Sequence, residues 1–366
     1  MDKLVYQIAL TKIPLVGSKL AKLLVSYCGG VENIFQASHK DLLAIPGIGK
    51  RIVENISSKG YFNEVEKELA FIEKNQVTPY FYLDKSYPAR LKHYEDSPVM
   101  LYAKGNYDIN CAKSIAFVGT RTPSKRGEAT VKKIIDELKD QDVSVISGMA
   151  YGIDAFAHKA AATLGVPTIG VLGHGLDRVY PAQNIPIARQ MLENGGGLLT
   201  EFTSGTKPSR ENFPMRNRII AALSDAVLIV ETKEKGGSII TAEIANSYNK
   251  DVFAVPGRVN DITSKGCNML IKRNKAALVE SGRDIVYAMG WDITQKPKVV
   301  SPQLFLDLTA SEQKIVDYLK ATDEVHIDQT LFDLSIKQSE ASSILLQMEL
   351  KNIIQAIPGK KYILVS

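Results

Sequence analysis

From Ser114 onward, short apolar runs rich in β-branched residues alternate with stretches of helical periodicity. Strands that are apolar on both faces and alternate with helices are typical of a parallel sheet covered by helices on both sides. The sequence therefore predicts a doubly wound, Rossmann-like α/β domain at 76–290, with two short strands and a turn leading into it. The predicted strands of its main part are SIAFVG, VSVIS, PTIGVLG, GLLTEF, AVLIVET, DVFAVPG and ALVES.

The segments on either side of this domain have other patterns. Residues 1–75 show short helices joined by Gly/Pro turns and a weak repeat, IPLVGSKLAK and IPGIGKRIVE. The second copy resembles the helix-hairpin-helix motif, whose turn presents backbone amides to a phosphate; a small packed helical bundle is the alternative. Residues 291–306 are a Pro/Lys/Gln-rich linker. Residues 307–366 have the outline of a winged helix, with three helices followed by two strands around PGKK, and Thr309 or Ser311 as the first cap.

Bulk properties limit the class of protein. The 366 residues carry a mild net charge of +5 and 45% hydrophobic residues. No apolar run reaches the roughly 18 residues that span a bilayer, and the start lacks the pattern of a signal peptide. Cys28, Cys111 and Cys267 are scattered without a C-x-x-C pair. We therefore expect a cytoplasmic protein with no membrane partner and no cysteine-based metal site.

Basic residues are concentrated in the loops that follow the predicted strands. Because parallel strands end at the same edge, these loops should meet there, where α/β sheets bind ligands. Acids such as Asp177, Glu211 and Glu234 are mixed in, but several helix N-termini should also converge on this edge. Both features favour a ligand with more than one phosphate. The basic residues are Arg121, Lys125, Arg126, Arg178, Lys207, Arg210, Arg216, Arg218, Lys233 and Lys235.

The segment ENFPMRNRII, residues 211–220, is an unusual start for a helix. Pro214 suits a first helical turn, but Arg216 and Arg218 follow at once, where the helix dipole disfavours cations by about 0.3–1 kcal/mol each. We expect an anion to lie there.

Known cofactor and catalytic patterns are missing from the sequence. There is no G-x-G-x-x-G, Walker A, G-x-S-x-G or H-E-x-x-H. His158 and His174 are the histidines near the sheet edge, and we expect both to be structural. The sequence thus predicts no cofactor, no metal and no catalytic residue, but a polymer held by its phosphates.

The ordered motifs resemble the bacterial DNA-processing protein A (DprA, or Smf) family over about 76–290. They are FVGTRTPSKRG, SGMAYGIDAFAHKAA, TIGVLGHGLDRVYPAQN, LLTEF, NFPMRNRIIAALSDAVLIVE, KGGSIITAEIA and VFAVPGRVNDITSKGCNMLIK. The resemblance implies a non-enzymatic, homodimeric protein that binds single-stranded DNA. It would protect DNA taken up during natural transformation and load the RecA recombinase onto it.

The resemblance also implies roles for particular residues. Arg121 would contact a backbone phosphate, and phosphates would neutralise Arg216 and Arg218. Phe213 would stack on a base or, alternatively, pack under the helix. Two amide cradles would follow two strands, one at Ser147 and Gly148 and one at residues 236–241. The full predicted DNA-binding set is Gly119, Thr120, Arg121, Lys125, Arg126, Ser147, Gly148, Arg178, Arg210, Phe213, Arg216, Asn217, Arg218, Gly236, Gly237, Ser238 and Thr241.

The chain departs from the family pattern at two places. Gly236-Gly237-Ser238 stands where Ser-Gly-Ser is common, and Ala182 and Gln183 follow VYP where a basic residue is common. Part of the phosphate path is therefore expected to be weaker or rerouted. Lys207, Lys233 and Lys235 are interpreted as solvated surface charges.

Two alternative functions stay open. The sheet edge is also similar to that of phosphoribohydrolases, with Glu243 at their catalytic spacing, but Lys235, Ile239 and Ile240 break their signature. The second alternative is a duplex-binding regulator that acts through the winged helix. From residue 307 onward there are six basic and nine acidic residues. An acidic winged helix is a poor reader of the major groove, which favours a protein-docking module or a spacer between partners.

Overall fold

A computed structural model describes residues 3–58, 60–291, 308–322, 325–326, 334, 336, 338–351, 353–357 and 361–364. The chain forms two compact units, 1–291 and 292–366. No helix in the described ranges combines the length and the apolarity that a bilayer span requires. The predicted linker at 291–306 lies, apart from Trp291, outside the described residues.

Six helices make up the N-terminal region, and their turns explain the sequence repeat. Leu15 and Gly47 hold equivalent places in the two copies and both adopt a left-handed backbone, with φ of 67° and 81°. Glycine tolerates this conformation, whereas a leucine is strained there by about 1–2 kcal/mol. The repeat is therefore one turn geometry used twice. The helices are α1 Lys3–Lys12, α2 Ser18–Cys28, α3 Val31–Ile34, α4 His39–Leu43, α5 Lys50–Ser58 and α6 Phe62–Asn75.

A nine-stranded sheet follows, and it confirms the predicted α/β class. Its order is β1-β2-β6-β5-β4-β3-β7-β8-β9. The β1–β2 and β2–β6 pairs are antiparallel and all the others are parallel. The strands are β1 Thr78–Phe81, β2 Met100–Gly105, β3 Lys113–Val118, β4 Val143–Ser147, β5 Thr168–Leu172, β6 Gly197–Thr200, β7 Ala226–Ile229, β8 Asp251–Ala254 and β9 Ala277–Leu278.

Helices cover both faces of the parallel part of the sheet. Successive strand residues point to opposite faces, so a single strand contributes to two cores. Ala116 and Val118 of β3 belong to the core under α10, α11 and α12. Ile115 and Phe117 belong to the core under α7, α8 and α13. The helices are α7 Lys125–Leu138, α8 Ile153–Leu164, α9 Ile185–Glu193, α10 Asn212–Leu223, α11 Gly237–Ser247, α12 Lys265–Lys272 and α13 Gly282–Ala288.

The strand order reverses between β3 and β7. From β3 the chain builds outward through β4, β5 and β6 on one side, and then returns to add β7, β8 and β9 on the other. The loops after β3 and β7 therefore diverge and leave a crevice at the carboxyl ends of the strands, which is the usual ligand position in doubly wound sheets.

The N-terminal helices share a core with the first two strands. Phe81, Met100 and Tyr102 pack in the same buried cluster as the helical residues Ile8 and Val65. The Ser204 amide donates to the Glu68 carboxylate of α6 at 2.8 Å and so joins α6 to the segment after β6. The boundary at residue 75 stays a prediction, and these contacts place a continuous apolar core across it.

The C-terminal unit contains two described helices and a three-stranded antiparallel sheet. Its described elements are α14 Ala310–Thr322, β10 Val325–His326, α15 Gln338–Leu350, β11 Ile354–Ile357 and β12 Lys361–Leu364, with the strand order β10-β12-β11. Two of the three helices predicted for the winged helix are described, together with its two predicted strands β11 and β12 and the additional short strand β10. Thr309 Oγ1 accepts from the Glu312 amide at 3.3 Å, which confirms Thr309 as the predicted cap. The predicted middle helix at 327–335 and the PGK turn at 358–360 fall outside the described residues, apart from Leu334.

Candidate nucleic-acid interface

A cleft of about 560 Å³ lies at the point where the strand order reverses. Its walls are the loop after β3, the first turns of α10, the loop after β7 and the start of α11. Among the described residues that line it, Asp154 alone is acidic. The lining residues are Val118, Gly119, Thr120, Arg121, Thr122, Ala150, Asp154, Arg210, Phe213, Pro214, Arg216, Asn217, Thr232, Lys233, Lys235, Gly236, Gly237, Ser238, Ile240 and Thr241.

The start of α11 turns backbone donors toward this cleft. Gly237 and Ser238 are its first residues, and the first amides of a helix have no acceptor within the helix. A Cβ on Gly236 would lie 2.2 Å from Thr232 Oγ1, so packing requires glycine there. The Ser238 hydroxyl donates to Thr232 Oγ1 at 2.6 Å, so Ser238 offers its amide and not its side chain. Thr241 is buried, and its Oγ1 has no partner among the described residues.

Arg121 is exposed on the loop after β3, and that loop is fixed from two sides. The Thr120 amide donates to the Glu231 carbonyl at 2.7 Å, and the Thr120 carbonyl accepts from the Ile153 amide at 3.1 Å. The Arg121 guanidinium lies 5.7 Å from the centre of the Phe213 ring, which is within cation–π range. The structure therefore holds the arginine in place and leaves its charge at the cleft.

Glu231 is a structural residue behind the cleft wall that the sequence analysis missed. It is buried two residues after the end of β7, and its carboxylate accepts from the Ser124 amide at 2.9 Å and from the Ser124 hydroxyl at 2.5 Å. Ser124 in turn caps α7. Glu231 thereby connects the loops after β3 and β7, which form two walls of the cleft. An acid immediately after a fully apolar run was the available signal.

Arg216 lines the cleft, but its position differs from the prediction. Its side chain is buried, with 4% of the residue exposed, and it donates to the Gly148 and Val171 carbonyls, the latter at 2.8 Å. Burial lowers the pKa of Arg216 to about 10, with Asp154 opposing the shift, so the guanidinium stays charged at neutral pH. Arg216 is thus part of the floor beneath Phe213, whose ring centre lies 5.9 Å away. The Gly148 and Val171 carbonyls, rather than a phosphate, stabilise the Arg216 charge at its position in α10.

The predicted cradle at Ser147 and Gly148 is wrong. The buried Ser147 hydroxyl donates to the Phe117 carbonyl at 2.7 Å. The Gly148 amide donates to Asp154 at 3.1 Å, and a Cβ on Gly148 would lie 1.8 Å from Arg216 Nη1. Gly148 therefore makes room for Arg216 and not for a ligand. The Gly148 amide that the prediction assigned to a phosphate is used by Asp154, whose pKa is raised by burial while Arg216 opposes that shift.

The prediction for Arg218 is also wrong, because its side chain faces away from the cleft. It pairs with the Glu201 carboxylate and donates to the Asp96 carbonyl at 2.5 Å. It lines a separate cleft together with Lys19 and Leu20 of the N-terminal helices. Burial raises the pKa of Glu201, and the Arg218 charge counteracts that rise. An internal carboxylate supplies the anion that the sequence implied.

The remaining predicted residues divide into two groups. Arg210 and Asn217 line the cleft. Lys125, Arg126 and Arg178 are exposed and do not line it. Arg126 donates to the Pro256 carbonyl at 2.8 Å, and Arg178 pairs with Asp177 at 2.6 Å. Lys233 and Lys235, interpreted from the sequence as surface charges, are exposed and also line the cleft.

Glu243 and His158, two residues considered for catalysis, have partners outside the cleft. Glu243 is exposed on α11 and pairs with Lys275 at 3.1 Å, and it does not line the cleft. His158 Nδ1 is 2.7 Å from Thr168 Oγ1, and burial lowers the pKa of His158 to about 3. Across the described ranges, no three His, Cys, Asp or Glu side chains are grouped to hold a metal ion.

The doubly wound sheet with a cationic cleft at its switch point places the chain among Rossmann-like proteins that suit anionic ligands. A family model described as DNA recombination-mediator protein A matches residues 78–290, and a helix-hairpin-helix model matches residues 8–68. The chain therefore belongs to the DNA recombination-mediator protein A family, as the resemblance predicted. The helix-hairpin-helix match spans both copies of the N-terminal repeat.

Curated relatives and solved structures agree with this assignment. Protein Smf of Synechocystis is 31% identical over 98% of both chains. DNA processing protein DprA of Streptococcus pneumoniae is 43% identical over 56% of this chain and 71% of its own. The solved structure of DprA from Streptococcus pneumoniae matches with a TM-score of 0.64 and 35% identity over 78% of this chain and 98% of its own. DNA processing protein A from Helicobacter pylori, solved to describe its single-stranded DNA binding mode, matches with a TM-score of 0.54 and 28% identity over 59% of this chain and 97% of its own.

Proposed function

We propose that this chain is a non-enzymatic protein that binds single-stranded DNA in the cleft, through phosphates and with little sequence preference. The observation that carries the proposal is the meeting of exposed cations, helix amides and an aromatic ring in one cleft. Arg121, Arg210, Lys233 and Lys235 are exposed there, beside the first amides of α11 and the Phe213 ring.

Each of these groups suits a phosphate chain more than a compact ligand. A helix N-terminus attracts phosphate through its unpaired amides and its dipole. Cations spread over three loops match charges that repeat along a strand, and neutralising them releases counterions. The cleft therefore favours a polymer, held mainly by electrostatic contacts that carry no sequence information.

The ring at the cleft favours a single strand over a duplex. A base offers its flat face to an aromatic side chain only when it is not stacked between neighbours in a helix, and such stacking contributes about 1–3 kcal/mol per base. Phe213 is half-buried at the cleft wall with Arg121 and Arg216 near its ring, and the proposed base stacks on that ring. The description of the Helicobacter pylori relative as a single-stranded DNA binder supports this choice.

Family membership extends the proposal to a biological role. In this role the protein acts in the cytoplasm as a homodimer, protects single strands taken up during natural transformation, and loads RecA recombinase onto them. Light scattering of the purified chain tests the dimer. Acceleration of RecA filament nucleation on single strands coated by single-strand-binding protein tests the loading activity.

A salt titration tests the binding proposal itself. The full chain is titrated with a fluorescent single-stranded oligonucleotide and with its duplex at several salt concentrations. We expect a clear preference for the single strand and a linear fall of the logarithm of affinity with the logarithm of salt. Equal affinity for both forms, or an affinity insensitive to salt, would reject the proposal. Release of free base from nucleoside monophosphates would instead support the phosphoribohydrolase alternative.

A further inference from the structure

One acid of the N-terminal helices is buried where α6 meets the segment after β6. Glu68 lies on α6 and is only 3% exposed. Its Oε2 accepts from the Ser204 amide at 2.8 Å and from the Ser204 hydroxyl at 2.5 Å. Burial raises the pKa of Glu68, whereas both bonds from Ser204 and the charge of Lys12 counteract that rise. Because a buried carboxylate costs free energy unless it is hydrogen-bonded, the two bonds to Ser204 explain why an acid is tolerated here.

Ser204 belongs to a tight turn between β6 and α10, residues 203–206, which is held from two sides. Glycine at position 205 suits the backbone φ of 80° found there. The Gly205 amide donates to Asp177 at 2.9 Å, and the Thr206 carbonyl accepts from an amide of the loop after β5 at 3.1 Å. The carboxylate from α6 holds the turn on its other side. The turn is therefore a fixed point from which the chain continues to the cleft.

The segment that follows this turn carries a cation of the cleft. Arg210 is exposed and lines the cleft a few residues beyond Thr206. Among the described residues, the hydrogen bonds of 207–210 reach no further than Asn212, whose amide donates to Ser209 Oγ at 3.3 Å. The path of this segment is thus set by its two ends, which are the turn and the start of α10.

Charge alone predicts that an acid in this region weakens the binding of a polyanion. Removal of a carboxylate makes the protein more positive, so it should strengthen the binding of a strand. An acid whose removal instead weakens binding must act through the position of another group. The contacts of Glu68 with the turn before Arg210 give it such a route.

We infer that Glu68 is a positioning residue for strand binding, because it anchors the turn that sets Arg210 at the cleft. The inference rests on the proposed binding of single strands, and it gives the N-terminal helices a part in that binding without a contact to DNA. Without the carboxylate, one side of the turn is released and Arg210 samples more conformers. Its contact with a phosphate then costs more conformational entropy, and binding weakens although the protein has become more positive.

The first test compares two acids of α6. Glu68→Ala and Glu66→Ala remove the same charge, but Glu66 is exposed. In titrations with oligothymidylate at several salt concentrations, Glu68→Ala should bind about three- to fivefold more weakly than wild type and with a smaller salt slope. Glu66→Ala should bind as tightly as wild type or slightly more tightly. Glu68→Gln keeps an oxygen acceptor for Ser204, so its affinity should stay within about twofold of wild type.

A double-mutant cycle identifies the group through which Glu68 acts. In an Arg210→Ala background, Glu68→Ala should have no further effect on affinity, because the cation that it positions is gone. In an Arg121→Ala background, the effect of Glu68→Ala should persist in full. An effect of equal size in both backgrounds would overturn the assignment to Arg210.

The remaining outcomes separate this inference from the proposed function. If wild type binds the strand and Glu68→Ala binds it as tightly as Glu66→Ala does, the inference is wrong and the proposed function stands. Failure of wild type to bind any single strand would reject the proposed function and the inference with it.

A variant on the other side of the contact keeps the test valid if Glu68→Ala does not fold, which circular dichroism shows. Ser204→Ala removes one of the two hydrogen bonds to Glu68 and changes no charge. It should weaken binding of the strand by about twofold in the wild-type background and leave it unchanged in the Arg210→Ala background. Wild-type affinity of Ser204→Ala, or an equal loss in both backgrounds, would overturn the inference.

Discussion

The first turns of α10 and α11 both border the cleft, but the first amides of α11 lack partners within the helix, whereas the two arginines of α10 have internal partners. At the start of α11, the Gly237 and Ser238 amides open toward the cleft beside the exposed Lys233 and Lys235. At the start of α10, Arg216 is occupied by carbonyls and Arg218 by Glu201. The amides at the start of α11 are therefore available to a ligand, whereas Arg216 and Arg218 of α10 support the fold and Phe213 is the α10 ring left at the cleft wall.

Helix geometry explains why the two arginines of α10 cannot act together. Residues two apart in an α-helix are turned by about 200° from each other, so their side chains leave on opposite faces. Arg216 accordingly points under the cleft, and Arg218 points toward Asp96 and the N-terminal helices. Two like charges close in sequence thus need not mark one binding surface.

The largest expected effect comes from Arg216. Arg216→Ala leaves two buried carbonyls without their donor and Asp154 without its balancing charge, so we expect a loss of about 3 kcal/mol in the free energy of unfolding. Urea denaturation measures it. Arg189→Ala, an exposed arginine on α9, is the matched control and should stay within about 0.5 kcal/mol of wild type. An Arg216→Ala protein as stable as wild type would mean that the Arg216 side chain, like that of Arg121, makes no contact that stabilises the fold.

Arg218→Ala should cost somewhat less, about 2 kcal/mol, because it leaves the buried Glu201 carboxylate unpaired. The double variant Arg218→Met with Glu201→Gln removes both charges and should recover most of that stability. Affinity for single-stranded DNA should be unchanged in both proteins. A marked loss of affinity in the stable double variant would return Arg218 to the binding surface.

The Arg218–Glu201 pair makes the free energy of unfolding depend on pH. The pKa of Glu201 in the folded protein is already raised above its usual value of 4.5. Its favourable contribution to stability is therefore complete below pH 4.5 and is lost as the pH rises through the folded pKa. Arg218→Ala raises that pKa further, so its stability deficit should be small near pH 4 and grow toward pH 7. A deficit independent of pH would exclude Glu201 as the cause.

Arg121→Ala tests an exposed cation at the cleft, in contrast to the two arginines of α10. We expect affinity for single strands to fall by about tenfold for all sequences and the salt slope to decrease by about one, while stability stays within about 0.5 kcal/mol of wild type. Oligonucleotide titrations with Arg189→Ala as control measure both quantities. Loss of stability without loss of affinity would place Arg121 in the same group as Arg216.

The smallest effects distinguish the two glycines at the start of α11. A Cβ on Gly237 meets nothing within 4 Å, so Gly237→Ala should leave stability and affinity close to wild type. A Cβ on Gly236 would contact Thr232 Oγ1, so Gly236→Ala should cost about 1 kcal/mol and disturb the amides that follow. Thermal unfolding and titration of the two proteins make the comparison, and the reverse order of effects would contradict this packing.

The sequence predicted the sheet because each strand carries its own local signal. Runs such as SIAFVG and AVLIVET are apolar on both faces, and β3 and β7 start within one residue of the expected places, although β7 ends three residues early. The convergence of the loops after these strands follows from parallel topology alone. Arg121 and the start of α11 could therefore be placed at one edge without coordinates.

Tertiary partners could not be predicted in the same way. Arg218 reaches Asp96, which is far away in the sequence, and Gly148 is small because Arg216 fills the space beside it. Whether a polar group is free or already bonded depends on such contacts between distant segments, which no spacing pattern encodes. Asp154 and Glu231 were missed for that reason, although each stands next to a predicted strand or helix end.

The two backbone hydrogen bonds of Thr120 lower the entropy that the protein loses when a ligand binds. Because neighbouring backbone groups already hold the loop rigid, Arg121 has little backbone freedom left to lose on contact. In the proposed binding mode, the entropic penalty of association therefore falls mainly on the single strand, whose many conformers must narrow to one path along a preformed loop.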